Sequence, residues 1–267
     1  MQDEIKIQCP AKINLTLKIT GKRDDGFHNI DSIMQTINLF DYLTITFEPS
    51  DKTEIVLNGT SDEIPYNEKN LVYKATELYL KNFHTEKNYK IQIHIEKNIP
   101  VAAGLAGGST DAAGTLYGLN KLFNEPLTRK QLHELCSQLG SDLNLCLEGG
   151  RQKTSGRGEI LEPLPFEEFD VSLIKPVDLG ISAKEAYTKF GEKIKNTDLS
   201  HQDFVNDLEW AVIDDYKELQ HIKETYPKSV MSGSGSTYFI IDSIFNEENG
   251  YWVKNNLKSL PYGVKEI

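Results

Sequence analysis

Apolar and polar residues alternate through the first twenty positions of the chain. Ile5, Ile7, Cys9, Ala11, Ile13, Leu15, Leu17 and Ile19 fall on one face, and Lys12, Asn14, Thr16 and Lys18 on the other. That period of two predicts a half-buried β-strand with the lysine face in solvent. Pro10 cannot donate to a ladder, so it marks an edge, a bulge or a strand start. "GKRDDGFHN" then reads as a reversal at Asp25-Gly26, and Leu43, Ile45 and Phe47 resume the alternation. Residues 67–83 change to helical spacing, with Leu71, Ala75, Leu78 and Tyr79 near one stripe. Tyr89, Ile91, Ile93 and Ile95 alternate again as a strand.

That strand runs into "IPVAAGLAGGSTDAAG", residues 99–114, and Ala112, Leu116, Leu119 and Phe123 behind it keep helical spacing. The order is strand, bare loop, helix. "LTRKQLHELCSQLG" predicts a further helix, with a Thr128/Gln131 capping box and Gly140 as its stop. Beyond residue 155, "FDVSLIKP" reads as a strand and Ser182/Glu185 as a second capping-box pattern. Residues 197–215 read as a helix through Phe204, Leu208 and Ala211. "VMSGSGSTYFIID" is a Gly/Ser loop feeding a strand, and the chain is expected to close with a short helix and strand. Strands and helices interleave without regular βαβ units, which predicts an α+β fold rather than a doubly wound sheet.

The chain's 267 residues suffice for two cores. Lys plus Arg is 29 and Asp plus Glu is 40, a net charge of -11, which argues against a nucleic-acid partner. Cys9, Cys136 and Cys146 form no CxxC or Cys/His cluster, which argues against disulfides and structural zinc and predicts a cytoplasmic protein. The N-terminus lacks a secretory pattern. No window of roughly 18 apolar residues predicts a membrane span.

The bare loop is the first candidate for chemistry. Main-chain N–H groups at a helix start, aided by the helix dipole, form a phosphate site. The loop lacks G-x-x-x-x-G-K-[ST], and the spacing of Gly104, Gly107 and Gly108 does not fit a dinucleotide fingerprint. Ser109 can cap the helix, or face a phosphate or its magnesium ion. A tight strand–helix corner in a packed core would use the same small residues. Asp142, after Gly140, reads as a helix N-cap or as a general base. Phe27 and His28 read as a core-edge plug and a solvated ring, or as a grip on a flat base. The 231–236 loop reads as a phosphate cover or an ordinary hairpin.

In combination, "PAKINLTLKITGKRDDGFHNIDSIMQTINLFD", "NEKNLVYKA", "NIPVAAGLAGGSTDAA", "LGSDLNLCL", "NDLE" and "MSGSGS" resemble the galactokinase–homoserine kinase–mevalonate kinase–phosphomevalonate kinase (GHMP) superfamily. The "PAKINL…GKRDDGFH" block is similar to the branch that phosphorylates the 2-hydroxyl of a cytidine-diphosphate-linked methylerythritol in the non-mevalonate isoprenoid pathway. The resemblance covers nearly the whole chain. It implies a ribosomal protein S5 domain 2-like N-terminal domain, residues 1–155, and a ferredoxin-like C-terminal domain, residues 156–267. It implies ATP and Mg²⁺ as cofactors and a small-molecule, cytidine diphosphate-linked polyol as substrate. It carries the catalytic pair onto Lys12 and Asp142. The nucleotide site falls on Asn70, Leu71 and Lys97, on Pro100 and Ala103, and on the loop Gly104, Leu105, Ala106, Gly107, Gly108, Ser109 and Thr110. Asn14, Phe27, His28 and Tyr187 fall at the substrate, the last three sandwiching and hydrogen-bonding cytosine.

The chain departs from that pattern at four places. Phe27 replaces a commoner tyrosine, and Asn144 and Ser236 replace prolines. The 149–156 stretch "GGRQKTSG" is bulky and basic, with Arg151 or Lys153 as candidate diphosphate contacts. Another small-molecule GHMP kinase, acting on mevalonate, homoserine or a sugar, would not need the base clamp. A non-catalytic, ligand-binding paralogue would be expected to lose Lys12 or Asp142.

Overall fold

The computed structural model describes residues 4–83, 87–195 and 203–267. Strands β1 (Glu4–Lys22) and β2 (His28–Pro49) form one long antiparallel hairpin. Its reversal is closed by Arg23 N–H donating to the Phe27 carbonyl at 2.8 Å and by Gly26, whose φ of 87° suits glycine. Pro10 sits at a bulge, where the register with β2 slips between Pro10 and Ala11.

β3 (Glu54–Gly59) and β4 (Tyr89–Glu96) pair in parallel beyond β2, and β5 (Arg151–Ser155) and β6 (Ile160–Pro163) extend the sheet from β2's first half. Gly156 therefore lies in the turn of a hairpin that stays with this sheet. α1 (Leu71–Asn82), α2 (Gly107–Leu122), α3 (Arg129–Leu139) and α4 (Leu143–Glu148) complete the layer. Asn70 caps α1 by accepting from Val72 N–H, and Thr128 and Gln131 form the expected box on α3.

A second sheet, in the order β10-β7-β9-β8, holds β7 (Asp170–Pro176), β8 (Val230–Met231), β9 (Tyr238–Ile241) and β10 (Tyr251–Lys258). α5 (Ala183–Lys193), α6 (Asp207–Val212) and α7 (Lys217–Thr225) pack with it around Ile174, Phe190, Trp210 and Ile222. β11 (Lys265–Glu266) returns to pair with β1. Three expectations change. The expected helix over 197–215 is α6 followed by a 3₁₀ turn, Ile213–Asp215, and its first part, 197–202, lies outside the described residues. Residues 242–250 hold no helix before β10. Ser182 accepts from Glu185 N–H, but the Glu185 carboxylate accepts from Tyr216 instead of closing the box.

A third apolar cluster joins the layers: Ala11 and Ile13 of β1 meet Ile99, Leu105, Val171, Leu173 and Phe239. These contacts cover one face of the middle of β1, and the Lys12 face is buried as well. Lys12, expected in solvent, is 3% exposed, and Asn14 is fully buried. A buried lysine must be paired or it loses its charge, which makes this stretch of β1 the place to look for chemistry.

Candidate active site

The loop between β4 and α2 adopts positive φ at Ala102 (50°), Gly104 (74°) and Ala106 (58°). The contact at Gly104 leaves no room for a side chain, since a Cβ there would lie 2.0 Å from the Ser232 carbonyl oxygen. The 231–236 loop is locked onto it: Ser232 Oγ donates to the Gly104 carbonyl at 3.0 Å, and Thr237 N–H to that of Ala103 at 3.3 Å. Ala106, in the left-handed region, is the N-cap of α2, and no side chain caps the helix. Ser109 lies inside the first turn, so its expected capping role is not realised. The leading N–H groups of a helix have no intrahelical acceptor. Gly107, Gly108 and Ser109 bring theirs to a cleft of about 1270 Å³. Thr110 is buried beneath this turn and does not line the cleft. Gly104→Ala is expected to cost roughly 1–3 kcal/mol in stability and to raise the nucleotide Kd, which melting curves and calorimetry would check.

Lys12 and Asp142 meet across the same cleft. Lys12 Nζ lies 3.6 Å from Asp142 Oδ2 and donates to Asn14 Oδ1 at 2.6 Å. Asn14 Nδ2 in turn donates to Ser32 Oγ at 3.0 Å. Asp142 is the N-cap residue of α4, yet its carboxylate makes no capping bond. It remains 29% exposed in the cleft, available to a substrate.

Lys97 lines the cleft under the glycine turn, where a Cβ on Gly107 would lie 2.6 Å from its Nζ. It is clamped between Asp41 and Asp111, the latter at 3.2 Å, and all three are nearly inaccessible. Asp41 also accepts from the N–H groups of Asn98 at 2.6 Å and Ile99 at 2.8 Å. Burial works against the Lys97 ammonium, but Asp111 and Asp41 together outweigh it and raise its pKa. Burial pushes the Asp111 carboxyl well above its ordinary value, with Lys97 opposing. Asn70 and Leu71 stand at the same end of the cleft, Leu71 Cδ1 facing Gly108, and Pro100, Ala103 and Leu105 line its floor.

The other end is aromatic. The His28 and Tyr187 rings stack at 5.2 Å between centroids and 14° between planes, and Phe190 meets His28 edge-on at 6.3 Å. Here His28 closes directly onto Tyr187, so the expected sandwich is not open between them. Phe27 is 48% exposed, with the Arg157 guanidinium 5.0 Å from its ring centroid. Burial lowers the His28 pKa, which leaves a neutral ring with one donor and one acceptor. Burial, then the nearby Asp142 charge, pushes the Tyr187 phenol up, so it stays a proton donor. Arg151 pairs with Glu167 and Lys153 with Asp31 at 3.5 Å, and neither lines the cleft. Arg157 is the basic residue of that region that does.

Residues 70–150 match the GHMP kinases N terminal domain family. The chain is 38% identical to the 4-diphosphocytidyl-2-C-methyl-D-erythritol kinase of Caldanaerobacter subterraneus subsp. tengcongensis over 91% of this chain and 89% of that one. It is likewise 38% identical to the enzyme of that name from Clostridioides difficile, over 89% and 86%. The chain belongs to the 4-diphosphocytidyl-2-C-methyl-D-erythritol kinase family. A crystal structure titled 4-(cytidine 5'-diphospho)-2C-methyl-D-erythritol kinase superposes with a TM-score of 0.72 at 25% identity, covering 96% of this chain and 99% of that one. A homoserine kinase from Cytophaga hutchinsonii shares the fold, with a TM-score of 0.67 at 18% identity over 100% and 98%.

Membership of this kinase family makes the chain an ATP-dependent small-molecule kinase. Of the family's expected positions, all but Thr110 open on one cleft. Several residues that shape the kinase cleft escaped sequence reasoning. Asp41 and Asp111 hold Lys97, Ser32 holds Asn14, and Gly233 packs against Lys12. The available signal was a lone acid inside an apolar strand, "INLFDYLTI", since such an acid is buried only when it has partners.

Proposed function

We propose that the chain transfers the γ-phosphoryl group of ATP to the 2-hydroxyl of 4-diphosphocytidyl-2-C-methyl-D-erythritol in isoprenoid precursor synthesis. The observation that carries this reading is the convergence of the uncapped α2 turn and the Lys12–Asp142 pair on one cleft. Phosphoryl transfer needs positioning and charge stabilisation more than covalent help. The amides of Gly107, Gly108 and Ser109 bind the β- and γ-phosphates. Asn70, Leu71 and Lys97 mark the adenosine end. Asp142 orients the substrate hydroxyl and accepts its proton as the phosphorus–oxygen bond forms. Lys12, held by Asn14, stabilises the migrating charge. Phe27, His28 and Tyr187 receive cytosine, which requires His28 and Tyr187 to part or the base to lie on their outer face.

Among the described residues no group of three or more His, Cys, Asp or Glu side chains is arranged to hold a metal ion. Mg²⁺ keeps several waters and binds largely through substrate phosphates, so it would need few protein oxygens here. Ser109, which lines the cleft, would be the hydroxyl to hold such an ion, and the ion would supply charge neutralisation for the phosphates. We assign the first sheet with α1–α4 to an S5 domain 2-like unit and the second with α5–α7 to a ferredoxin-like one. A cytoplasmic location fits three free, buried cysteines and the absence, among the described residues, of a helix long and apolar enough to cross a membrane. A net charge of -11 supports small-molecule rather than nucleic-acid partners.

Both close alternatives make different predictions. A mevalonate or homoserine kinase would have no use for the aromatic end, and a non-catalytic paralogue would not keep Lys12 against Asp142. The test is ADP release by purified protein offered the cytidine-linked methylerythritol, mevalonate or homoserine. Turnover is expected with the first, and turnover with mevalonate or homoserine alone would overturn the reading.

A further inference from the structure

Arg157 lines the cleft with its guanidinium over Phe27, and the next residue, Gly158, packs on Ser141 beside Asp142. The Arg157 turn is built rigidly. Gly158 N–H donates to the Ser155 carbonyl at 3.1 Å, and Arg157 N–H to Glu159 Oε2 at 2.7 Å. Gly158 packs on Ser141, so close that a Cβ would lie 3.3 Å from the Ser141 Cβ. Asn144 Nδ2 donates to Ser137 Oγ and to the Glu159 carbonyl, both at 2.9 Å. The residue that stands where the family has proline thus ties the Arg157 turn to α3 and to the helix that carries Asp142. The guanidinium itself lies over the Phe27 ring and donates to the Ser137 carbonyl. Of its five N–H donors most remain for a ligand.

Charge decides what that ligand is. Among the cations that line the cleft, Lys12 faces Asp142, and Lys97 is held by Asp41 and Asp111. Lys22, Lys184 and Lys195 are exposed on the rim. Arg157 is half-buried and, among the described residues, makes no salt bridge; Asp25, whose carboxylate feels its charge, is bridged by Arg23 at 2.9 Å. A stacked, anchored guanidinium is pre-oriented for bidentate phosphate recognition. A diphosphate passing beside the Asp142 carboxylate would be repelled without such a cation.

We infer that Arg157 binds the diphosphate that links the cytosine end of the substrate to its reacting polyol, and so sets a preference for nucleoside diphosphates over nucleosides. The inference rests on the substrate reading given above. The test is calorimetric titration with CDP and with cytidine, the ATP site being saturated by a non-hydrolysable ATP analogue. The wild-type protein should bind CDP about 10–100-fold more tightly than cytidine. Arg157→Met keeps the stem that covers Phe27 and should bring that ratio near one while cytidine affinity holds. Arg157→Lys should restore part of the ratio. In turnover, the loss should fall on KM for the cytidine-linked substrate and not on KM for ATP. Equal weakening of CDP and cytidine would reduce Arg157 to a prop for Phe27 and overturn the inference. A CDP/cytidine ratio untouched by Arg157→Met would overturn it too, with the substrate reading intact. If the wild-type protein bound neither compound, the base site would fail and the inference with it.

Discussion

Asp142→Asn is expected to lower kcat by roughly 10²–10⁴-fold, the range a positioned general base contributes. The amide matches the carboxylate in shape, so substrate should still be placed, and KM should change little. What is lost is the capacity to take the hydroxyl proton and the negative charge facing Lys12 at 3.6 Å. Stability should survive, for a reason visible in the fold. Asp142 occupies the N-cap position of α4 without making a cap bond, so the helix loses no partner when the carboxylate is removed. Lys12 keeps its 2.6 Å bond to Asn14. The check is single-turnover phosphoryl transfer alongside a melting curve. A folded variant that retained more than about half the wild-type rate would remove Asp142 from the chemistry.

The contrast between position and use at Asp142 shows what could and could not be seen in the sequence. Elements whose stability is local were legible. The β1–β2 hairpin follows from alternation and the Asp25-Gly26 reversal, and α3 from its capping box. The strand–loop–helix order around Gly104 was legible as well. Whether the loop served phosphate or packing was not, because small residues suit both uses. Lys12 was misread as solvent-facing because alternation reports one buried face, while the groups that cover the other, Asp142 and the Gly233 turn, come from segments far along the chain. β5 and β6 passed unnoticed, being short and weakly apolar, and they are formed by pairing with β2 and each other. Ser109 failed as a cap because Ala106 takes a left-handed conformation that starts the helix three residues earlier. The Lys97 cluster joins three separate segments, and no local pattern could announce it.

That cluster carries the largest expected effect on stability. Lys97→Met should destabilise the protein by roughly 3–5 kcal/mol, because it strands Asp41 and Asp111 in the interior with no cation. Set against the roughly 5–15 kcal/mol of a typical domain, this is a drop in Tm of about 6–20 °C. Asp41 keeps two backbone N–H donors, from Asn98 and Ile99, and can remain charged. Asp111 loses Lys97, its cation at 3.2 Å, and its Oδ1 already lacks a partner among the described residues. The burden therefore falls on Asp111, whose carboxyl is already pushed up by burial. Two consequences separate this account from simple loss of packing. The deficit of Lys97→Met should shrink as pH falls, since a protonated Asp111 no longer needs a cation. Adding Asp111→Asn to Lys97→Met should recover part of the lost stability, giving a favourable coupling in the double-mutant cycle. Melting curves of the wild type, both single variants and the pair, at neutral and mildly acidic pH, measure all of this. Strict additivity of the two substitutions, with no change in the deficit between the two pH values, would show that Lys97 serves the nucleotide turn through its hydrocarbon stem rather than its charge.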